Sequence, residues 1–242
     1  MDSNPLLLSI IIPCRNDSAA LAENLPAIFA GLEKRDEVIV ADASDDTGSA
    51  TVARQYGATV VNCDKAGRGF QMNAGAAASR GGVLVFSHAD TRLTASHLAA
   101  LRKHFKVHPE ADAGAFFKDT AAHYPAFARV DFFVRWWMGK FGVVYGDQSV
   151  FMRRSRFDAL GGFADIPLME DVAMSLPLRR SAGFRLIDPP LRTSMRGFAR
   201  RGRLFTRIRN VLFVILFRCG VSPQRLYQWY YGKPVDARGA RS

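Results

Sequence analysis

The sequence predicts an α/β fold, with a mainly parallel sheet flanked by helices and a basic amphipathic helical extension at the C-terminus. One observation is that short apolar runs alternate with helix-length segments through the first half of the chain. This alternation favours a parallel sheet covered by helices on both faces. The other observation is the distribution of charge. The 242 residues carry a net charge of +11, but residues 179–242 alone carry +13, so the rest of the chain is slightly acidic.

Four strands and four helices are predicted up to Lys106. Leu6–Ile12 is a continuous apolar, β-branched run, as expected of a strand buried on both faces, and Pro13 ends it. Asp17 or Ser18 can cap the first helix, and Gly57 is a suitable end for the second. The predicted strands are 6–12, 37–41, 58–62 and 82–88, and the helices that follow them end near residues 31, 56, 80 and 106.

The second half of the chain is less regular. Its most distinctive segment is Pro125–Phe141, which has the pattern of an aromatic, amphipathic helix. Gly146–Arg153 is predicted to be a loop and a short strand. Two strands are predicted at 113–118 and 184–187, and four further helices at 155–160, 169–181 (with a possible kink at Pro177), 202–219 and 222–231.

Composition and cysteine usage exclude several classes of protein. A chain with 48% hydrophobic and 23% charged residues is neither disordered nor collagen-like, and the uneven charge argues against a uniformly basic nucleic-acid-binding body. The cysteines, Cys14, Cys63 and Cys219, are odd in number and lack metal-ligand spacing, so we expect a reducing compartment. The N-terminus does not resemble a signal peptide, and no apolar run approaches the ~20 residues of a membrane-spanning helix.

Polar and acidic residues follow the predicted strands. They are Arg15-Asn16-Asp17, Asp42, Asp64 and Asp90. Ligands bind at the carboxyl ends of the strands in an open parallel sheet. Carboxylates at that edge suit a divalent cation, which can bridge them to a pyrophosphate, or a sugar or base with hydroxyl and amide donors.

Six motifs along the chain carry a specific resemblance. They are SIIIPCRND, VIVADASDD, GRGFQMNAG, VFSHADT, GDQSVFMRRSRFDALGGF and LMEDVAMSLPLRR, and they occur in this order between residues 8 and 198. In sequence and spacing they resemble a family 2 glycosyltransferase of the GT-A fold, a Rossmann-like sheet flanked by helices. The resemblance is greatest to the small bacterial subgroup labelled as arsenosugar-biosynthesis glycosyltransferases. It implies a glycosyltransferase domain over 1–198, with a nucleotide-sugar-binding half (1–112) and an acceptor and catalytic half (113–198), followed by a basic helical tail (199–242).

The resemblance implies a donor site and a metal site. Asp90 matches the last Asp of the family's Asp-x-Asp metal motif, and His88 stands where the first Asp would be, so that Mg²⁺ or Mn²⁺ would be held by Asp90 and a neutral His88. Asp42 matches the acid that contacts the nucleotide base, although the acid that usually precedes it is Ala41 here. The expected nucleotide-sugar-binding residues are Pro13, Arg15, Asn16, Asp42, Arg68, Gln71, Asn73 and Asp90.

The resemblance also implies the catalytic residues. Asp171 matches the general base of the family's Glu-Asp motif, which takes the proton of the acceptor hydroxyl, and Glu170 is expected to orient it. The expected acceptor-binding residues are Asp147, Gln148 and Trp137.

Taken from the residues alone, each of these roles has a structural alternative. Asp42 could simply be a turn or N-cap residue, and Glu170 and Asp171 could simply favour a helix N-terminus. Arg68 could be a solvated surface residue and His88 a core histidine. Asp147 and Gln148 fit a polar turn, and at least one tryptophan of the pair at 136–137 fits core packing.

The basic tail has three interpretations. Arg196, Arg200, Arg201, Arg203, Arg207 and Arg209 lie among apolar residues. This composition is typical of an interfacial helix on an anionic membrane, but it also fits a packed helix with a solvated basic face, or arginines that reach the donor diphosphate.

The expected function is inverting transfer of a sugar from a nucleotide-diphosphate sugar to a hydroxyl acceptor, which is either a small molecule or lipid-linked. One alternative is a sugar nucleotidyltransferase-like enzyme, although its Gly-rich loop and Lys are not seen after the first strand. The other is a non-catalytic, nucleotide-regulated module that binds a membrane surface or RNA. A cytoplasmic location is expected, with possible peripheral association at the inner face of the membrane, and nucleic acid is not expected as a partner.

Overall fold

A computed structural model describes residues 6–118, 143–193, 203–232 and 234–235; at Thr193 and over 203–208 it describes the backbone alone. The predicted helix Pro125–Phe141, with Trp136 and Trp137, lies outside the described residues. Arg196, Arg200 and Arg201 of the basic tail also lie outside the described residues. Within the described residues no helix combines the length and the apolar character needed to cross a membrane.

Strands and helices alternate through the first half of the chain, as the sequence predicts. The strands are β1 Leu8–Cys14, β2 Glu37–Asp42, β3 Thr59–Asn62, β4 Val83–Phe86, β5 Thr91–Arg92, β6 Ala113–Lys118, β7 Val150–Arg153 and β8 Arg185–Thr193. The helices are α1 Ser18–Phe29, α2 Gly48–Gln55, α3 Arg68–Ala78, α4 Ala95–Val107, α5 Arg154–Ala159, α6 Glu170–Arg179, α7 Arg203–Arg218 and α8 Pro223–Tyr231. A 3₁₀ turn at Gly146–Gln148 precedes β7.

The described strands form one sheet in the order β3-β2-β1-β4-β7-β6-β8-β5. Strands β1 to β4 pair in parallel, and β6 pairs in parallel with β8. Strand β7 is antiparallel to both of its neighbours, and β5 is antiparallel to β8. Because β1, β2 and β4 are parallel neighbours, their carboxyl ends lie at one edge of the sheet, where the candidate residues follow them.

The two faces of the sheet form separate apolar clusters. Ile10 and Ile12 of β1 pack in a cluster with Leu21 of α1 and Leu98 of α4. Ile11, between them, packs in the other cluster with Met72 of α3. Successive side chains of a strand point to opposite faces of the sheet, so β1 is covered on both sides. The predicted α/β architecture with helices on both faces is therefore confirmed.

Two strands continue through prolines beyond their predicted ends, and the structure has one short strand more than predicted. Strand β1 continues through Pro13, whereas the sequence predicted that Pro13 would end it. The Ile11 carbonyl accepts from Ser87 N on the β4 side, and Pro13 faces the same side two residues later. Strand β4 has ended at Phe86, so no ladder hydrogen bond is lost there. Strand β8 extends to Thr193, beyond the predicted end at residue 187, and its pairing with β6 shifts register between Ile187 and Leu191, where Pro189 and Pro190 lie. The two-residue strand β5 was not predicted.

Candidate active site

The loops after β1 and β2 are joined by an Asn–Asp pair at the carboxyl edge of the sheet. Asn16 has a φ of 52°, in the left-handed region that asparagine tolerates. Its Nδ2 donates to Asp45 Oδ2 at 2.8 Å, and Asp45 N donates to Asn16 Oδ1 at 2.9 Å. Arg15 lies 3.6 Å from Asp45. The structure therefore places Arg15 and Asn16 beside the loop that follows Asp42, as expected if they share one site.

Asp42 is buried at the end of β2 and aligned with Cys14 at the end of β1. Its Oδ1 accepts from Ser44 N at 3.0 Å and from the Ser44 hydroxyl. Burial of a carboxylate is costly unless it is hydrogen-bonded, and Ser44 provides those bonds. The arrangement combines the turn role that the sequence left open with a position at the ligand-binding edge.

Gln71 and Asn73, on α3, bond to the protein's own backbone. Gln71 is fully buried, and its Nε2 donates to the carbonyls of Cys14 and Ala41 at 2.7 and 2.8 Å. Asn73 Nδ2 donates to the Phe163 carbonyl at 2.8 Å, and Phe163 N donates to Asn73 Oδ1 at 2.9 Å. These bonds hold α3 against the ends of β1 and β2 and against the loop before α6, which fixes the position of Arg68 at the start of α3.

Arg68 is the cation at the centre of the site. Its Nη1 lies 3.9 Å from Glu170 Oε1, and its side chain is 36% exposed. Burial opposes the charge of Arg68, but the carboxylates of Glu170, Asp171 and Asp90 and the hydroxyl of Tyr231 raise its pKa above the usual value. A planar, charged fork in this position suits a diphosphate.

Asp171 lies on the first turn of α6 and is held by two backbone N–H groups. Gly146 N donates to its Oδ2 at 3.0 Å, and Val172 N donates to its Oδ1 at 2.7 Å. Burial raises the pKa of Asp171 above its usual value, while the Gly146 bond and the charge of Arg68 oppose the rise. A carboxylate with a raised pKa is a stronger base than a solvated one.

Glu170, beside Asp171, is also buried. Its pKa is raised by burial and by the negative charge of Asp171, and Arg68 opposes the rise. Met169, the residue before the helix, has a φ of 73°. This left-handed residue ends the preceding loop, so that both acids begin the helix together.

His88 and Asp90 follow β4 and lie close to Arg68. Burial and the charge of Arg68 lower the pKa of His88 to about 3, so its imidazole is neutral and can act as a metal ligand. Burial raises the pKa of Asp90, and Arg68 opposes this. Gly146 faces the ring, since a Cβ at that position would lie only 2.5 Å from His88 Nε2. The lack of a side chain at Gly146 therefore allows the imidazole of His88 to lie close to the backbone there.

Asp147 adds a fourth acidic group, after Asp90, Glu170 and Asp171, to this region. It forms an ion pair with Lys118, and its charge raises the pKa values of both Asp90 and His88. Within the described part of the chain, the buried Asp147 Oδ1 has no hydrogen-bond donor. No group of three or more His, Cys, Asp or Glu residues with metal-site geometry occurs among the described residues. The donors available are therefore Asp90 and the neutral His88. They fit a cation such as Mg²⁺, which uses one or two carboxylates and takes further oxygens from phosphates and water.

Gln148 is buried and bonds to backbone on both sides. Its Nε2 donates to the Phe116 carbonyl and its Oε1 accepts from Tyr145 N, both at 3.0 Å. Its amide therefore fixes the 3₁₀ turn that carries Gly146 and Asp147. Trp137, the remaining residue expected at the acceptor site, lies outside the described residues.

The C-terminal helices also contribute to the site, which the sequence interpretation missed at the level of single residues. Tyr231, at the end of α8, interacts electrostatically with Arg68 and Glu170. Burial and the charges of Asp171 and Asp147 raise the pKa of Tyr145, and the charge of Arg218, at the end of α7, opposes this rise. The signal in the sequence was the aromatic run at 227–231, but nothing in its spacing connects it to residues 68 and 170.

Comparison with protein families gives a match that includes the ends of β1, β2 and β4 but stops before Glu170 and Asp171. The model for Glycosyl transferase family 2 matches residues 9–154, more than half of the chain. Uncharacterized glycosyltransferases of Mycobacterium bovis and Mycobacterium tuberculosis are 28% identical to this chain over 130 residues. That alignment covers 54% of this chain and 58% of each relative, so the match spans less than two thirds of the relatives' length.

Solved structures share the fold at low sequence identity. A mannosyltransferase from Pyrobaculum calidifontis, in complex with GDP-Man and Mn²⁺, is 20% identical with a TM-score of 0.61, covering 89% of this chain and 65% of its own. Glucosyl-3-phosphoglycerate synthase from Mycobacterium tuberculosis, in complex with Mn²⁺, UDP and glucosyl-3-phosphoglycerate, is 18% identical with a TM-score of 0.59, covering 89% and 80%. Residues 1–349 of TarS from S. aureus, in complex with UDP-GlcNAc, are 14% identical with a TM-score of 0.60, covering 92% and 70%.

At these identities the structural likeness establishes the fold, and the family match establishes the relationship. The mixed sheet flanked by helices is that of the GT-A glycosyltransferases. The chain belongs to glycosyl transferase family 2.

Proposed function

We propose that this protein transfers a sugar from a nucleotide-diphosphate sugar to a hydroxyl acceptor, with inversion and with the assistance of a divalent cation. The observation that carries the proposal is the convergence of Arg68, Asp90, His88 and Asp171 at the carboxyl edge of the sheet, with Arg68 acting electrostatically on the other three. The Mn²⁺, GDP-Man and UDP in the complexes of structurally similar proteins support the ligand class.

The donor would lie across the ends of β1, β2 and β4. Pro13, Arg15, Asn16 and Asp42 lie where the nucleoside is expected, and the guanidinium of Arg68 would bind the diphosphate. Asp90 and His88 would hold Mg²⁺ or Mn²⁺, which supplies Lewis-acid stabilisation of the departing diphosphate. Gln71 and Asn73 contribute by positioning α3.

Asp171 would act as the general base. The acceptor hydroxyl oxygen forms a bond to the anomeric carbon as the bond from that carbon to the diphosphate oxygen breaks, and Asp171 takes the hydroxyl proton. A single displacement of this kind inverts the anomeric configuration. The two backbone N–H bonds fix the carboxylate of Asp171, each oxygen of which has a further lone pair for the acceptor. Glu170 would keep Arg68 in place.

The finer expectations remain proposals. They are the division into a domain over 1–198 and a tail over 199–242, acceptor binding by Asp147 and Trp137 with Gln148 fixing the turn that carries Asp147, a small-molecule or lipid-linked acceptor, similarity to the arsenosugar-biosynthesis subgroup, and a cytoplasmic location with peripheral membrane association as an option.

A thermal-shift panel of UDP-, GDP-, ADP- and dTDP-sugars, each with and without Mn²⁺, tests the donor site. We expect one nucleotide class to raise the unfolding temperature in the presence of Mn²⁺, because a ligand that binds only the folded state stabilises it. Asp90→Ala should abolish the Mn²⁺-dependent shift, whereas Asp158→Ala, which changes an exposed aspartate on α5, should retain it. A panel without any shift, or an equal shift in Asp90→Ala, would contradict the proposal.

A further inference from the structure

The hairpin of α7 and α8 exposes a group of large apolar side chains. Val211, Leu212 and Ile215 on α7 are 56%, 49% and 52% exposed, and Trp229 on α8 is 58% exposed. Among the described residues, only one other large hydrophobic side chain, Val107, is at least 49% exposed. Val211 and Ile215 lie about one turn apart on α7 with Leu212 between them, and exposed apolar residues grouped in this way mark interaction surfaces. We call these four residues the hairpin surface.

The hairpin surface is the outer side of two packed helices. Phe213 and Val214 on α7, and Leu226 and Tyr227 on α8, are buried. The rings of Phe213 and Tyr230 lie 5.6 Å apart in an edge-to-face arrangement, which joins the two helices. Since the inner sides are already occupied, the exposed residues are free to contact a partner without unpacking the hairpin.

The charged residues in the segment that carries the hairpin surface are all basic. Residues 194–232 contain eight arginines and no Asp or Glu. Arg218 and Arg225 are exposed, and the guanidinium of Arg209 lies 4.0 Å from the centre of the Tyr230 ring. Arginine beside exposed aliphatic and tryptophan side chains is the composition of a helix that lies in the interface of an anionic bilayer. Nucleic acid would be contacted by the arginines but would leave the aliphatic residues uncovered.

We propose that the hairpin surface binds the headgroup and acyl-chain boundary of an anionic membrane. Val211, Leu212, Ile215 and Trp229 insert between the lipids, and the surrounding arginines contact lipid phosphates. Neither helix spans the bilayer, so the attachment is peripheral and reversible. The proposal is independent of the sugar transfer proposed above, since none of the four residues of the hairpin surface has a role in it.

Co-sedimentation of the full chain with vesicles tests this surface. One set of vesicles is pure phosphatidylcholine, and the other contains about one third phosphatidylglycerol. We expect binding to the anionic vesicles, a clear decrease at high salt because the charge attraction is screened, and little binding to the neutral vesicles. Arg225→Gln should lower binding about fivefold, as expected for one basic residue near the surface.

Val211→Asn has a matched control in Val107→Asn. Val107 is also helical, on α4, and is 58% exposed. Val211→Asn should lower partitioning about tenfold, because an apolar side chain no longer enters the lipid, whereas Val107→Asn should bind like the unaltered chain. Circular dichroism checks that both variants fold. Absence of binding, equal binding to neutral vesicles, or equal losses in the two variants would overturn the proposal. So would sedimentation equilibrium showing a dimer that Val211→Asn dissociates, since a second copy would then cover the surface.

Discussion

A single methyl group at Gly146 should disturb both sides of the candidate active site. In Gly146→Ala the new Cβ would lie 2.5 Å from His88 Nε2 and 2.9 Å from Cε1, whereas ordinary contacts are 3.4–4 Å. The imidazole must therefore move by about 1 Å to relieve the overlap. The alternative is a shift of the Gly146 backbone, whose N–H donates to Asp171 Oδ2 at 3.0 Å. Either movement displaces a residue to which we assign a role.

The expected magnitudes follow from these two contacts. Overpacking of this kind costs about 1–3 kcal/mol of unfolding free energy, and in a chain of this size each kcal/mol lowers the unfolding temperature by about 2–4 °C. Displacement of catalytic groups by about 1 Å can reduce turnover by about 100-fold. We therefore expect a moderate loss of stability together with a much larger loss of activity.

The assay combines calorimetry of nucleoside diphosphate binding in the presence of Mn²⁺ with turnover and thermal unfolding. Gly82→Ala is the control, because Gly82 is exposed and a Cβ there meets nothing within 4 Å. The reasoning is refuted if Gly146→Ala matches Gly82→Ala in Mn²⁺-dependent binding and in turnover, since His88 and Asp171 would then not depend on the space at Gly146.

Three further substitutions test the electrostatics and the walls of the site. Glu170→Gln should be more stable than the unaltered chain at pH 8, and the difference should close toward pH 4.5. The pKa of Glu170 is 4.5 in the unfolded chain and about 7 in the folded one, so the folded state binds more protons between these values. The stability of the unaltered chain therefore falls as the pH rises through this range. Equal pH profiles in chemical denaturation would contradict this. Arg68→Gln should move the acidic limb of the pH profile of kcat/KM to higher pH, because the charge of Arg68 lowers the pKa of Asp171. An unchanged limb would show that Arg68 does not act on the pKa of the catalytic base. Tyr231→Ala should raise KM about tenfold, with a smaller effect on kcat, because the aromatic side chain that interacts with Arg68 is lost. Unchanged kinetics would place Tyr231 outside the site.

The buried strands could be predicted because their sequence is apolar on both faces. Ile10, Ile11 and Ile12 occupy both apolar clusters, and an uninterrupted β-branched run has few other stable placements. Pro13 was misjudged because its effect depends on where the neighbouring strand β4 ends, which is a property of the sheet. The predicted end of β8 at residue 187 was wrong for a similar reason, since the strand continues beyond a register shift with β6 that no local pattern shows.

The candidate site was predictable only in part. Strand ends carry the ligand-binding edge of an open α/β sheet, so Asp42 and Asp90 could be selected from local pattern. Whether an amide faces a ligand or the protein's own backbone is decided by tertiary contacts, and the bonds from Gln71 to Cys14 and Ala41 could not be read from the helix pattern. Tyr231 reaches Arg68 across most of the chain, which no local signal records.

The central claim is that Asp171 acts as the base in sugar transfer at this site. The most direct test is Asp171→Asn, which keeps the shape of the side chain but cannot accept the proton. Once a donor is identified, its binding is measured by calorimetry and the release of nucleoside diphosphate is measured under single-turnover conditions. We predict unchanged donor binding and a loss of turnover of about 10²–10⁴-fold, the usual contribution of a general base. Full turnover in Asp171→Asn, with donor bound normally, would contradict the account.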